Sequence, residues 1–427
     1  MDERVMDDFL LDAGFKSFPL AAPAGPAAGI ASRGWNVLAG DLPFPLAVLR
    51  ETALAHNLAW MQDYTARKSV SLAPHGKTTM SPQLLSRQLA AGAWGLTFAS
   101  VGQASVGIRA GARNIIIANQ VLADADLAGL EMLLDRHAGL RVWFLVDSLA
   151  QLALLEAWQA RTGSARRFDV LLEIGISGMR TGCRTSAEAF ALAQAMARST
   201  AVRLCGIECY EGLAANCDSV HDAAEMTALV RRVAEVARGC DAQALFTGDE
   251  ILLTAGGSAV FDLVVPMLRM QGLSKPVRGV LRSGCYVTHD HGTYARFLLQ
   301  VENREGLAGS LLPALEVWAL VQSVPEPGLA LLTCGRRDIS HDADMPLPVR
   351  LARHGGHDVT AAPAAWKVTA LNDQHAYMHF PPEGLAPSVG DRIALGVSHP
   401  CTTFDKWRWM AVVDDSLNIV GAIQTAF

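Results

Sequence analysis

The sequence has few charged residues, and their distribution shows little asymmetry. Charged side chains make up 18% of the 427 residues, and the net charge of -6 is not concentrated in one segment. The chain therefore offers no basic face that could neutralise a phosphate backbone. We expect no nucleic acid among the partners of this protein.

Paired cysteine motifs and long apolar runs are also missing. The eight cysteines include no C-x-x-C pair, and a chain of this length does not need disulfide bonds to hold a core. The acidic segment MDERVMDDFLLDAG lacks the positive charge of a secretory signal, and no run of about 20 apolar residues could cross a membrane. We therefore expect a cytoplasmic protein with no membrane partner.

Hydrophobic residues are abundant. They form 51% of the chain, which is enough for a large core and for two domains. Residues 20–31 predict an irregular arm, and we expect a helix from about 46 to 67. The predicted first domain spans residues 46–286, and the second is built from residues 1–45 and 287–427.

Strand-like runs alternate with helical stretches through the first domain. The eight runs are SVSLA at 69, WGLTF at 94, NIIIA at 114, RVWFLV at 141, FDVLLEI at 168, VRLCGIECY at 202, EILLTAG at 250 and VRGVLRS at 277. Eight right-handed β-α-β units close naturally into a (β/α)8 TIM barrel, which we favour over an open doubly wound sheet. After about residue 286, short β-rich runs predict a mainly antiparallel β-domain, so the fold class is α/β.

Lys77 stands directly after the first predicted strand, in the segment PHGKT. In a TIM barrel the active site forms at the carboxyl ends of the strands, so residues at these junctions are informative. A lysine in a confined, partly apolar mouth can act as a nucleophile and as a base. The alternative is an ordinary surface lysine, but lysine is scarce in this chain and arginine supplies most of the positive charge.

Glycine-rich junctions follow the seventh and eighth strands. The residues concerned are Gly256, Gly257 and Ser258 in TAGGS, and Gly284, Cys285 and Tyr286 in RSGCY. Barrels commonly bind phosphate at these two loops, through backbone N–H groups that glycines leave accessible. Glycine pairs alone more often mark plain turns, and it is their position across the mouth from the lysine that favours a phosphate site.

Two further junctions carry polar side chains. Arg180, in the glycine-rich loop EIGISGMRTG, could hydrogen-bond an anionic oxygen or form an ion pair within its loop. Tyr210, in ECYEG, could contact an aromatic ring or pack in the core.

In the second domain, His399 and Cys401 are two residues apart, so in an extended segment both could ligate one zinc ion. An isolated H-x-C pair is more often structural.

Several of these segments resemble one known family. PHGKTTMSPQLLSRQLAAGAWGLTFAS resembles the cofactor-lysine region of the D-threonine aldolase and D-serine dehydratase family, whose barrel is related to that of alanine racemase. EIGISGMRTGC, TAGGS, LRSGCYVTHD, LNDQHAYM and SHPCTTFDKW match in the same order, so the resemblance spans residues 70–410. It implies an alanine racemase-like, fold-type III pyridoxal 5′-phosphate (PLP) enzyme and a homodimer with active sites near the interface.

The resemblance also implies roles for individual residues. Lys77 corresponds to the lysine that binds PLP covalently, and Arg180 to the arginine near its phenolic oxygen. Tyr210, or alternatively Glu208, corresponds to the residue near the pyridine nitrogen. The phosphate-binding segments contain Gly256, Gly257, Ser258, Gly284 and Cys285.

The second domain carries the metal-ligand pair of the family. His399 and Cys401 match this pair, and His375 matches a histidine close to it. The lysine segment departs from the family pattern H-x-K-T-H-K at Thr79 and Met80. Substrate contacts from that loop therefore do not carry over.

The reaction that the resemblance implies is the conversion of a D-3-hydroxy amino acid, such as D-serine or D-threonine, to a 2-oxo acid and ammonia. A divalent metal, zinc or manganese, would assist departure of the β-hydroxyl. Cys401 favours this dehydration, because the family associates a His/Cys pair with dehydratases and a His/Asp pair with aldolases. The alternatives are aldol cleavage to glycine and an aldehyde, a non-catalytic PLP-binding homeostasis protein, and racemisation, for which we identify no second base.

Overall fold

A computed structural model of the protein describes residues 9–212, 214–307 and 309–427. The amino-terminal arm contains the short strands β1 (Leu10–Leu11) and β2 (Gly25–Pro26), followed by a 3-10 helix at Ala27–Arg33. Phe18 and Ile30 of this arm are buried in a hydrophobic cluster with Trp318 and Trp409. The arm therefore covers a face of the second domain.

The segment expected to begin a helix at residue 46 begins instead with strand β3 (Leu46–Arg50), and helix α1 (Glu51–Arg67) follows without a connecting loop. The prediction of a helix from 46 was wrong over these five residues. The sequence LAVLR is almost completely buried and pairs with two strands of the second sheet, so tertiary pairing determines its conformation. The domain limits at 46 and 286 stay predictions.

Eight parallel strands form the barrel, and helices connect them. Their bounds are β4 Ser71–Leu72, α2 Pro82–Ala90, β5 Leu96–Phe98, α3 Val101–Arg109, β6 Asn114–Gln120, α4 Asp124–Arg136, β7 Arg141–Val146, α5 Leu149–Thr162, β8 Phe168–Ile174, α6 Ser186–Arg198, β9 Val202–Cys209, α7 Ser219–Ala242, β10 Ile251–Ala255, α8 Phe261–Leu268, β11 Val277–Leu281 and α9 Thr293–Glu305. The sheet order is β4-β11-β10-β9-β8-β7-β6-β5. All eight predicted strands are confirmed.

The barrel closes at a narrow seam between β4 and β5. Trp94 N–H donates to Leu72 C=O at 2.8 Å, and Thr97 N–H donates to Pro74 C=O at 2.9 Å. His75 and Thr97 form a parallel bridge just beyond the end of β4. The segment that carries Lys77 therefore leaves the barrel at its seam.

The second domain is a mainly antiparallel sheet, as predicted. Its elements are β12 Leu315–Glu326, β13 Leu329–Leu332, β14 Leu347–Ala352, β15 Val359–Ala361, β16 Lys367–Leu371, β17 Ala376–His379, β18 Arg392–Gly396, α10 Pro400–Phe404, β19 Trp409–Val413 and β20 Ile419–Gln424. Strand β3 lies between β12 and β19, and its pairing with β19 is parallel. Both ends of the chain thus contribute to this sheet.

Alternation along β3 shows how the sheet is used on both faces. Leu46 and Val48 belong to the cluster that the amino-terminal arm covers, whereas Ala47 and Leu49 belong to the main core shared with the barrel. Successive side chains of a strand point to opposite faces, so this nearly unbroken apolar run is buried on both sides.

Short polar caps begin several barrel helices at the end where the strands finish. Ser81 accepts a hydrogen bond from Leu84 N–H, Ser100 from Gln103 N–H and Ser148 from Gln151 N–H. These caps fix where each loop at the mouth ends. In the part of the chain that the structure describes, no helix combines the length and the apolar character needed to cross a bilayer.

Candidate active site at the barrel mouth

A cavity of about 300 Å³ lies at the carboxyl ends of the barrel strands. Eleven residues singled out in the sequence line it: Lys77, Arg180, Glu208, Tyr210, Gly256, Gly257, Ser258, Gly284, Cys285, His399 and Cys401. They come from the end of β9, from five barrel loops and from the second domain. The volume is at the lower end of the range for small-molecule sites.

Two other residues singled out in the sequence are absent from this lining, as far as the described residues go. Tyr286 is buried with 3% of its surface exposed and hydrogen-bonds Gln88. His375 lies in the turn between β16 and β17, where its C=O accepts from Asn372 N–H at 2.9 Å. Neither residue therefore lines this cavity.

Lys77 belongs to a short 3-10 turn, Gly76–Thr78, that follows the barrel seam. Its side chain is exposed in the cavity, and no carboxylate of the described residues lies within ion-pair distance. His75 precedes it, and burial lowers the pKa of this histidine well below its usual value, with Lys77 and Arg282 acting in the same direction. The lysine therefore has a neutral histidine beside it, and its amine has no carboxylate partner among the described residues.

The loops after β10 and β11 approach the lysine turn closely. A Cβ atom on Gly284 would lie 2.5 Å from His75 C=O, so only glycine permits this contact. Cys285 N–H donates to Ser258 Oγ at 3.2 Å and joins the two loops. Among the described residues, the N–H groups of Ser258 and Gly284 have no protein acceptor. Unpaired N–H groups at such a turn are suited to bind an anion.

Glu211 is a residue of this site to which the sequence reasoning gave no role. Its carboxylate is fully buried and accepts from Gly256 N–H at 3.1 Å and from Gly257 N–H at 2.5 Å. Two of the N–H groups expected to face a phosphate are therefore held by a carboxylate. The only sequence signal was its place in ECYEG, directly after Tyr210.

Arg180 and Tyr210 lie against each other, with the guanidinium carbon 4.5 Å from the centroid of the tyrosine ring. Burial raises the pKa of Tyr210 to about 12, so its hydroxyl stays protonated. Glu208 forms a buried ion pair with Arg282, which leaves Glu208 Oε2 without a partner in the described structure. Burial raises the pKa of Glu208 to about 8, although Arg282 acts in the opposite direction.

The second domain contributes His399 and Cys401 to the cavity wall. His399 Nδ1 lies 2.6 Å from Asp342 Oδ2, a contact that fixes the imidazole ring and leaves Nε2 for another partner. Cys401 Sγ lies 3.6 Å from Cys285 Sγ and donates to Thr78 Oγ1 at 3.5 Å. Within the described residues, no group of three or more histidine, cysteine or acidic side chains is arranged to hold a metal ion.

The residues at the mouth fit PLP by their chemistry. An unpaired lysine amine, two unpaired backbone N–H groups and an arginine with no ion pair in the described structure line one cavity. These groups suit an aldehyde, a phosphate and a phenolic oxygen, respectively. The imidazole of His399 and the thiol of Cys401 are ligand types that suit zinc, but two protein ligands are fewer than the usual three of a catalytic zinc site.

Comparisons with known proteins agree with this geometry. Residues 49–260 match the family described as "Alanine racemase, N-terminal domain", and residues 314–413 match the one described as "Putative serine dehydratase domain". A D-threonine aldolase from Arthrobacter sp. is 28% identical over 375 residues, which cover 87% of this chain and 89% of the relative. A D-threo-3-hydroxyaspartate dehydratase from Delftia sp. is 31% identical over 141 residues, which cover 33% of this chain and 36% of the relative.

Solved structures show the same fold over nearly the whole chain. The D-threonine aldolase from Filomicrobium marinum superimposes with a TM-score of 0.74 at 25% identity, covering 92% of this chain and 96% of that one. The Delftia dehydratase superimposes with a TM-score of 0.70 at 22% identity, covering 92% and 99%. The chain belongs to the family of PLP-dependent D-amino acid lyases that includes D-threonine aldolase and D-threo-3-hydroxyaspartate dehydratase.

Proposed function

We propose that this enzyme is a dehydratase that converts a D-3-hydroxy amino acid, such as D-serine or D-threonine, to a 2-oxo acid and ammonia. The observation that carries the proposal is the meeting of Lys77, the turns after β10 and β11, and the pair His399 and Cys401 in one cavity. The first two provide the means to hold PLP, and the third could bind a hydroxyl group through a metal.

Lys77 is the proposed cofactor lysine and the proposed base. When bound, PLP supplies an electron sink that makes the α-proton of an amino acid acidic. The amine of Lys77 then takes this proton from one face of the substrate, which sets the preference for the D-enantiomer. The N–H groups of Ser258 and Gly284 would hold the phosphate, and Arg180 would donate to the phenolic oxygen.

We propose Tyr210 as the residue that would contact the pyridine nitrogen of PLP. Its neutral hydroxyl lies on the cavity wall beside Arg180. Glu208 is the alternative, but its ion pair with Arg282 already engages one carboxylate oxygen. Gly256 and Gly257 shape the phosphate turn through Glu211 rather than by direct donation.

His399 and Cys401 are the proposed ligands of a divalent metal. A thiolate and an imidazole favour zinc over manganese, which prefers oxygen ligands. Asp342 fixes the His399 ring, as carboxylates commonly do for metal-binding histidines. A metal held there would make the β-hydroxyl of the substrate a better leaving group, as a Lewis acid does.

Aldol cleavage is the second candidate, and a specific finding favours it. The relative that matches over 87% of this chain is a D-threonine aldolase, whereas the dehydratase match in sequence covers 33%. Cys401 supports dehydration, because the resemblance links a His/Cys pair with dehydratases. The same base and metal would serve cleavage if the β-hydroxyl were deprotonated instead of expelled.

A product assay distinguishes the two candidates. Purified enzyme supplied with PLP and zinc would be incubated with D-serine and, separately, with D-threonine. Dehydration releases equal amounts of ammonia and a 2-oxo acid, namely pyruvate or 2-oxobutanoate. Glycine and an aldehyde in place of these products would show that the enzyme is an aldolase, and failure to consume either D-amino acid would overturn the proposed substrates.

A non-catalytic PLP-binding protein is the least favoured function. Such proteins usually lack a second domain, whereas here that domain contributes two side chains to the cavity.

We also propose a cytoplasmic homodimer, as the resemblance implies. Light scattering of the purified protein would test the dimer, since a monomer at micromolar concentration contradicts it.

A further inference from the structure

We propose that Cys285 and Cys401 form a reversible disulfide bond that closes the site under oxidising conditions. The two sulfur atoms lie 3.6 Å apart, although the residues are separated by 116 positions in the chain. Thr78 Oγ1 lies 3.5 Å from Cys401 Sγ and 3.8 Å from Cys285 Sγ, so it contacts both. A disulfide needs an S–S distance of about 2.0 Å, so the two side chains must rotate toward each other as the bond forms.

The pair is distinguished from the other cysteines by its position. All eight cysteines lie in the described part of the chain, and in that part no other two cysteine thiols are within hydrogen-bond distance of each other. Cys401 is half-buried and Cys285 is 5% exposed, and both line the cavity. A small oxidant that enters the cavity therefore reaches two thiols at once, and the more accessible one is Cys401.

The chemistry balances with a peroxide as the oxidant. The Cys401 sulfur attacks one oxygen of hydrogen peroxide, the O–O bond breaks, and a sulfenic acid and one water molecule form. The Cys285 sulfur then attacks the sulfenic sulfur, the S–O bond breaks, and the second water molecule leaves as the disulfide forms. The two thiols together lose two protons and two electrons, and the peroxide gains them as it becomes two water molecules.

The bond would act on both halves of the site. Cys285 follows Gly284 in the turn after β11, whereas Cys401 belongs to α10 in the second domain. A disulfide would therefore join the proposed phosphate turn to the metal-binding segment and remove Cys401 as a ligand. Loss of activity on oxidation rests on the proposed function, but formation of the bond does not.

Peptide mapping tests the bond directly. PLP-bound enzyme would be stripped of metal with a chelator, exposed to hydrogen peroxide at a few equivalents, alkylated with N-ethylmaleimide and digested without reductant. We expect one cross-linked peptide pair containing Cys285 and Cys401, and its disappearance on treatment with dithiothreitol. Zinc added before the peroxide should slow cross-linking at least tenfold, because a coordinated thiolate is withdrawn from the reaction.

Matched variants assign the cross-link. Cys217→Ser removes another half-buried thiol and should leave the cross-link and the activity unchanged. Cys285→Ser and Cys285→Ala should both abolish the cross-link and leave Cys401 to over-oxidise to the sulfinic acid. The absence of a Cys285–Cys401 peptide from oxidised wild-type enzyme, or a cross-link of Cys401 to any other cysteine, would overturn the proposal.

The reduced enzyme provides the separate test of the proposed function. A cross-link in a protein whose reduced form lacks lyase activity supports the disulfide and overturns only the proposed reaction. If the reduced form is active, activity should fall in proportion to the cross-linked fraction and return with dithiothreitol. Full activity in completely cross-linked enzyme would contradict the closing of the site.

Discussion

The two ends of the barrel both contain a cavity, and the larger one is at the end opposite the proposed site. That floor cavity has a volume of about 630 Å³, compared with about 300 Å³ at the mouth. Three of its four arginines are paired with carboxylates: Arg203 with Asp169 at 2.6 Å, Arg141 with Glu250 at 3.5 Å, and Arg166 with Asp135. The fourth, Arg167, donates to the C=O groups of Ser199 and Val202, each at 3.0 Å. At the mouth, Lys77 and Arg180 have no such partner in the described structure.

The difference supports the proposed site, because unpaired charge rather than volume distinguishes the mouth from the floor. A cation that already has a carboxylate gains little from a second anion, whereas an unpaired cation in a confined cavity gains much. The floor is also closed by aromatic packing, since Trp94 and Trp143 lie 5.5 Å apart and Arg141 lies over the Trp143 ring. We therefore interpret the floor cavity as a structural feature and propose the mouth as the functional site.

Replacing the unpaired lysine should have the largest effect. We expect Lys77→Ala to abolish the visible absorbance of covalently bound PLP and to lower kcat by about 10³-fold or more, since it removes the proposed base. Arg141→Ala at the floor is the matched cation control and should change kcat less than twofold. Equal losses in the two variants would erase the distinction between the two ends.

Removing the metal should have the next largest effect and should separate the two halves of the mouth. Chelation, or His399→Ala, is expected to lower kcat about 10- to 100-fold while the visible absorbance of PLP persists. Zinc should restore the chelated wild-type enzyme but not the variant. Turnover that is indifferent to chelators would contradict the metal role of His399 and Cys401.

Glu211 tests whether the glycine turn is preformed. Glu211→Ala leaves the buried Gly256 N–H and the half-buried Gly257 N–H without their acceptor. We expect a loss of about 2–4 kcal/mol in the free energy of unfolding, with weaker retention of PLP. Glu211→Gln keeps one acceptor oxygen and should lose about half as much. Chemical denaturation and PLP release on dialysis would measure both, and tighter retention of PLP by the alanine variant would contradict a preforming role.

Acid should destabilise the folded protein through the buried side chain of His289, which lies beyond the turn after β11. Burial lowers the pKa of His289 to about 4, so the folded protein keeps it neutral where the unfolded chain, with a pKa of 6.5, binds a proton. The free energy of unfolding therefore keeps its full value above pH 6.5. It falls by on the order of 3 kcal/mol in all as the pH falls to about 4.

The pH dependence of stability measures this contribution. His289→Asn should flatten the fall in Tm between pH 6.5 and 4.5, because asparagine tolerates the φ of 47° at this position and does not titrate. The slopes of Tm against pH are compared, rather than the Tm values themselves, because the substitution also changes packing. An unchanged slope would show that His289 does not carry the acid sensitivity.

The sequence predicted the barrel well because each strand is a compact apolar run between helix signals. It failed at Leu46–Arg50, whose apolar residues give no local sign that their partners lie more than 250 positions away. Residues that directly follow the predicted strands were expected to lie together at the mouth, since parallel strands bring their carboxyl ends together. It could not foresee that Glu211 would accept from Gly256 and Gly257, or that Cys285 would contact Cys401, because only tertiary packing creates these contacts.

The direct passage from β3 to α1 has a mechanical consequence. Arg50 ends the strand and Glu51 begins the helix, and Arg87 holds Glu51 at 2.7 Å from across the barrel surface. Because β3 pairs with a strand on each edge and no loop separates it from α1, the sheet and the first barrel helix are rigidly connected. Separating the two halves would also expose the core that they share, so we expect substrate and product to pass through small loop movements around the cavity.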